Sequence, residues 1–179
     1  FHPIIEHLRR TLNMSDWQKI EKFWVSQLSF LMPELQSHLK HNTELFKLVD
    51  NQQISVYESF RQVFLTLTRK QKILISVENA QWLDQESIGL FSYLTHRHFF
   101  SENAHLVLLL GKDELNLPVF DLLNDPSFVS QIAWVNLTPL ELDAISNIAI
   151  YVLRKSLSEE QTQRLKDATG GNPLFVIET

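Results

Sequence analysis

The sequence predicts a mixed α/β fold with parallel strands, and two observations carry that expectation. The runs Ile73 to Val77, Leu106 to Leu110 and Ile132 to Leu137 are apolar, bounded by polar residues and too short for helices. Between them, apolar residues recur at three- or four-residue spacing, the helical period. Strands that alternate with helices form parallel sheets, and continuous apolar runs suit strands covered on both faces. Ile73 to Val77, Leu106 to Leu110 and Ile132 to Val135 are therefore expected to lie adjacent and parallel.

The chain up to Met32 reads as helical. Ser15-Asp16-Trp17-Gln18 has the form of a capping box and opens a run with Trp17, Ile20, Trp24, Leu28 and Leu31 on one face, which Pro33 ends. Gln36 to Asn42 and Asp50 to Gln53 read as polar loops. Ile54, Tyr57, Phe60, Phe64 and Leu67 mark an amphipathic helix leading into the first strand. Asp84 is suited to cap a helix carrying Ile88, Phe91 and Leu94, before the second strand.

Leu115, Leu117, Phe120 and Leu123 follow in a short segment ended by Asn124-Asp125-Pro126, and then comes the third strand. Thr138-Pro139-Leu140-Glu141 combines a cap, a proline at the first helical position and a glutamate three residues after the cap. Leu142, Ile145, Ile148, Ala149 and Val152 continue at helical spacing. Ser158-Glu159-Glu160-Gln161 opens a last helix that stops at Gly170-Gly171, and Asn172-Pro173 redirects the chain. The change from α/β to pure helix sets an expected boundary between an α/β core, 1–137, and a helical part, 138–179.

Composition narrows the function classes. Of 179 residues, 44% are apolar and 21% charged, ordinary for a globular domain. The formal net charge of −5 and the lack of any Lys/Arg run argue against gripping nucleic-acid phosphates. The absence of cysteine excludes disulfides and thiolate metal sites and fits a cytoplasmic protein. No apolar run approaches the roughly 18 residues of a membrane span.

The candidate site is Glu78 to Asp84 (Glu-Asn-Ala-Gln-Trp-Leu-Asp), directly after the first strand. Ligands of open α/β sheets bind beyond the carboxyl ends of the strands. There a hard carboxylate oxygen on a rigid element can hold magnesium beside nucleotide phosphates. The segment resembles the apolar-strand-Asp-Asp-x-x-Trp-x-Asp pattern of AAA-like, STAND-type P-loop ATPase modules of large bacterial signalling and transcriptional regulators. Leu31-Met32-Pro33-Glu34-Leu35 is similar to the family's Leu-x-Pro-Glu-Leu. Leu106 to Glu114 is similar to its sensor-1 strand and turn, and Thr169-Gly170-Gly171-Asn172-Pro173-Leu174-Phe175 to its terminal Gly-Gly-Asn-Pro-Leu-Phe.

The resemblance covers about Phe1 to Glu178 and implies a partial P-loop NTPase-like core followed by the start of a helical lid. It also implies ATP and magnesium as cofactors of the intact parent protein. In that picture Glu78 carries magnesium, Asn79 sits beside the attacking water, Lys112 senses the γ-phosphate and Pro173 packs near the base. ATP between core and lid then fixes one orientation, and ADP or an empty site permits another.

Three departures bear on activity. The chain has four glycines and no Gly-x-x-x-x-Gly-Lys; Gly111-Lys112 would need glycine at position 106, which is Leu106. Without such a loop the phosphates lose their backbone donors. The favoured expectation is a fragment that starts after the P-loop and binds no cofactor itself, and the alternative is a parent that has lost the loop. Glu78-Asn79 stands where the family has two Asp, and an amide cannot take a proton. Lys112 stands where Arg is usual, losing the planar fork. A weak or non-hydrolysing site is expected.

The function expected is a nucleotide-dependent regulatory switch, and the alternative is a degenerate ATPase fold serving as a protein-interaction scaffold. Expected partners are other domains of the parent and a possible second copy, with no direct nucleic acid and no membrane.

Bland readings compete at each position. Glu78 is either a magnesium ligand or a solvated strand-end acid, with the first favoured. Asp84 is fully explained as an N-cap. Trp82 reads as a packing residue, and Trp17, Trp24 and Trp134 as core. Lys112 is either a phosphate contact or a surface lysine. His38 with His41 and His96 with His98 lack the partners a zinc site needs, and no nucleophile elbow supports a hydrolase triad.

Overall fold

In the computed structural model, which describes residues 1–39, 52–111 and 118–179, the chain forms two units, Phe1–Ile132 and Ala133–Thr179. The first unit opens with α1 (His2–Thr11), α2 (Met14–Trp17) and α3 (Lys22–Leu28), then a 3-10 segment, Pro33–His38. The long α4 (Gln52–Thr68) leads into β1 (Ile73–Val77). A 3-10 turn, Ala80–Trp82, precedes α5 (Gln85–His96), β2 (Ala104–Leu108), α6 (Val119–Leu123) and α7 (Pro126–Val129).

The expected continuous helix after Ser15 is broken in two, because its cap is Asn13. Asn13 Oδ1 accepts from the backbone N–H of Ser15 at 2.9 Å and of Asp16 at 3.2 Å, and the Asp16 carboxylate returns a bond to Asn13 N. Asp16 is also held by Lys70 beyond the end of α4, which fixes this turn to the long helix. The chain then bends through Gln18–Ile20 before α3 begins. Trp17 and Ile20 stay buried with Val25, Leu28, Met32 and Leu35 despite the break.

β1 and β2 pair in parallel, Ile73 opposite Ala104 and Val77 opposite Leu108, with α5 as the crossover. The chain is thus mixed α/β with a parallel pair and flanking helices. Ile73, Ile75, Val77, Leu106 and Leu108 pack on a core built around Phe60, Val63, Leu90, Phe91 and Leu94, all inaccessible to solvent. Burying each such large side chain contributes about 1.5–3 kcal/mol.

The opposite face departs from expectation. Strands covered on both faces were predicted, yet Leu74, Val107 and Leu109 are exposed, because helices pack on one face alone among the described residues.

The third expected strand is absent: 132–141 has no regular structure, and Trp134, Val135 and Leu137 are 63%, 78% and 88% exposed. A strand needs a partner for its ladder, and among the described residues the sheet contains β1 and β2 alone. Trp82, expected to pack, is likewise 67% exposed.

The second unit is helical: α8 (Leu142–Leu153), α9 (Glu159–Thr169) and α10 (Pro173–Glu178) meet around Ile145, Ala149 and Val176. The expected cap at Thr138 is not used, and α8 starts after Glu141. Leu140 N donates to Gly171 O at 2.8 Å, which holds Pro139–Leu140 extended against the α9–α10 corner. α9 starts as expected, with Ser158 and Gln161 forming a capping box.

Candidate functional site

The site begins where β1 ends. Glu78 and Asn79 are exposed immediately beyond Val77, at the carboxyl edge of the sheet. Asn79 adopts φ 51° and ψ 45°, the left-handed region that Asn tolerates better than most side chains. This conformation turns the chain sharply into the Ala80–Trp82 segment, closed by Trp82 N donating to Asn79 O at 2.9 Å.

The turn is fastened to the neighbouring strand. Ala80 N donates to Leu109 O and Leu109 N to Val77 O, each at 2.9 Å, extending the ladder past the last paired residues. Gln81, buried at 8% exposure, accepts from Gly111 N at 3.3 Å through Oε1. The two strand ends therefore form one fixed edge that carries Glu78 and Asn79 on one side and Leu109 to Gly111 on the other. Gln81 lies within the candidate segment but has no role assigned from sequence; its buried amide joins two segments 30 residues apart.

Asp84 caps α5 as expected, its Oδ1 accepting from Ser87 N at 2.7 Å. Lys112 lies outside the described residues. Pro173 belongs to the second unit, where it is the exposed first residue of α10 behind the cap Asn172, whose Oδ1 accepts from Leu174 N at 2.9 Å. The Gly-Gly-Asn-Pro stretch is locally explained in full. Gly170 ends α9 at φ +60°, and Gly171 at φ +71° lies so close to Pro139 and Leu140 that a Cβ would stand 2.9 Å from their atoms. Leu174 and Phe175 remain more than half exposed.

Among the described residues no group of three or more His, Cys, Asp or Glu gathers to hold a metal ion. Glu78 is the one carboxylate of the strand-end pair Glu78-Asn79, and it is exposed. Asn79 beside it can donate to or orient a water but cannot deprotonate one.

A second polar cluster lies between α4 and α5. The Glu58 carboxylate accepts from Tyr93 Oη, Gln62 Nε2 and Arg61 Nη1, each at 2.7 Å. Burial pushes the Glu58 carboxyl up, but the bonds from Tyr93, Gln62 and Arg61 together hold it below the usual glutamate range. Burial and the adjacent Glu58 both push the Tyr93 phenol up. The Arg97 guanidinium stands 5.3 Å above the Tyr93 ring centre.

No helix among the described residues is long and apolar enough to cross a membrane. No family model, no curated protein and no solved structure matches this chain.

Proposed function

We propose that this chain is part of an ATP-dependent regulatory switch of the STAND-like kind. It contributes the magnesium-side edge of a P-loop NTPase-like core and the first helices of a lid, within a cytoplasmic protein that carries a phosphate-binding loop. The observation that carries the reading is the fixed carboxyl edge of the parallel pair, where Glu78 projects to solvent and Gln81 ties the turn to Gly111. Ligands of parallel sheets bind at this edge.

When bound, magnesium supplies charge neutralisation for the phosphates. Glu78 would hold the ion, directly or through water, and Asn79 would orient the attacking water. Lys112 would meet the γ-phosphate, as the resemblance implies. Because Asn79 accepts no proton, hydrolysis is slow and the bound nucleotide acts mainly by favouring one arrangement of the parent's domains.

Two measurements test this. Calorimetric titration of the isolated chain with magnesium-ATP is expected to show weak or no binding; a low-micromolar dissociation constant would contradict the dependence on a separate phosphate loop. In a protein carrying that loop, Asn79→Asp keeps a residue that accepts the left-handed turn. It is expected to raise turnover by about tenfold or more, roughly 1.4 kcal/mol off the barrier, with affinity within a few-fold. The double change Glu78→Asp with Asn79→Asp controls for the longer Glu78 side chain. Unchanged turnover in both, with ATP bound as in wild type, argues against catalysis limited by this pair.

A second reading, a protein-interaction scaffold without nucleotide, is favoured by the bare apolar sheet face of Leu74, Val107 and Leu109. It predicts no magnesium-ATP binding even when a phosphate loop is present.

A further inference from the structure

We propose that the cleft between α3, α4 and α5 binds a small aromatic monocarboxylate, its ring against Phe23 and Trp24 and its carboxylate on Arg97. The cleft has a volume of about 470 Å³ and lies away from the Glu78 edge, with Ile54, Ser55, Glu58, Arg61 and Tyr93 completing its lining. That volume is within the roughly 300–1,000 Å³ typical of small-molecule sites.

Its chemistry is divided. Phe23 and Trp24 meet edge to face, ring centres 4.8 Å apart, and both are half-buried. Set nearly at right angles, they make an apolar corner against which an aromatic ring can pack. Opposite it, Glu58 neutralises Arg61 at 2.7 Å, while Arg97 is exposed and forms no ion pair with a carboxylate among the described residues. One carboxylate and two guanidinium groups leave a single positive charge, which matches a monoanion better than a phosphate dianion.

Two buried polar atoms in the same lining support a ligand independently. Ser55 is 6% exposed, and neither its Oγ nor the Nε of Arg61 has a hydrogen-bond partner among the described residues. Buried donors are ordinarily satisfied, and an unpaired one needs an explanation such as a water, an ion or a ligand. Rotation of the Ser55 hydroxyl toward an entering carboxylate would satisfy one of them.

The test uses 4-phenylbutyrate, its neutral amide and inorganic phosphate as probes of this chain, by calorimetry and ligand-observed NMR. Phenylbutyrate is expected to bind with a dissociation constant of about 1 mM or below, a normal affinity for a fragment of this size. The amide is expected to bind about tenfold or more weakly, because a charge-assisted bond to Arg97 is lost. Arg97→Gln is expected to weaken phenylbutyrate about tenfold and Arg97→Lys by less, both remaining folded with only a small drop in melting temperature from the lost contact with Tyr93. Ser55→Ala, which removes an unpartnered hydroxyl, is expected to fold normally and weaken binding about threefold.

The proposal is overturned if phenylbutyrate shows no binding up to about 10 mM, or if acid and amide bind alike. Wild-type affinity in a folded Arg97→Gln variant overturns it too. Displacement by phosphate at equal concentration would show an anion site without the aromatic selectivity proposed, and also overturns it.

Discussion

Both faces of the β1–β2 sheet carry large aliphatic residues, yet they are treated differently. Ile73, Ile75, Val77, Leu106 and Leu108 rest on the helical core, whereas Leu74, Ser76, His105, Val107 and Leu109 on the other face are exposed, Leu74 at 63%. Parallel sheets ordinarily have both faces covered. The contrast locates stability on one side of the sheet and leaves Leu74, Val107 and Leu109 on the other exposed among the described residues. The cost of a substitution should then follow the face and not the residue type.

The largest effect is expected beneath the covered face. Phe91 is completely buried in α5, and Phe91→Ala is expected to cost about 3–5 kcal/mol in urea unfolding. The comparison sharpens within β2, where neighbours point to opposite faces. Leu106→Ala is expected to cost about 1–3 kcal/mol and Val107→Ala less than about 0.5 kcal/mol. Equal costs at these two positions would break the contrast between the faces.

The same difference between crowded and open positions recurs at adjacent glycines of the second unit. Both have positive φ, but a Cβ at Gly171 would meet backbone atoms of Leu140 at 2.9 Å, and one at Gly170 would meet nothing within 4 Å. Gly170→Ala is expected to cost about 1 kcal/mol from conformation alone. Gly171→Ala is expected to cost more, about 2–3 kcal/mol, because strain and displacement add. Thermal unfolding of the two variants checks the order.

A smaller effect is expected from acid. Glu58 is held below its ordinary range, so its contribution to stability is present above the unfolded-state value and is lost as pH falls through the folded one. Glu58→Gln should therefore be less stable than wild type near neutrality, and the gap should narrow as pH falls below the ordinary glutamate range. A gap that stays constant with pH would show that the carboxylate's charge is not what the cluster stabilises.

What the sequence made legible was local. β1, α5 with its Asp84 cap and α9 with its Ser158 capping box follow from period and caps that act within a few residues, whereas β2 lies two residues earlier than expected, at Ala104–Leu108, and α4 begins at Gln52, inside an expected loop. What it hid depends on distant partners. Ile132 to Val135 has the composition of a strand but no ladder to join, and α8 starts late because Leu140 N is taken by Gly171 O. The strand-end position of Glu78 and Asn79 was legible. The fastening of that turn by Gln81 was not, since the partner is at Gly111. The cleft was least visible, because three helices bring Phe23, Ser55 and Arg97 together; the Glu58–Arg61 and Tyr93–Arg97 spacings were its only trace.

Under the proposed function, Glu78 would mark the magnesium side of a nucleotide site. The most direct test of this is calorimetric titration of ATP, with and without magnesium, into wild type and Glu78→Gln of a protein carrying this chain together with a phosphate-binding loop. The account predicts that removing magnesium weakens wild-type binding about tenfold or more while changing the variant by less than about threefold. The same magnesium dependence in both proteins would contradict it.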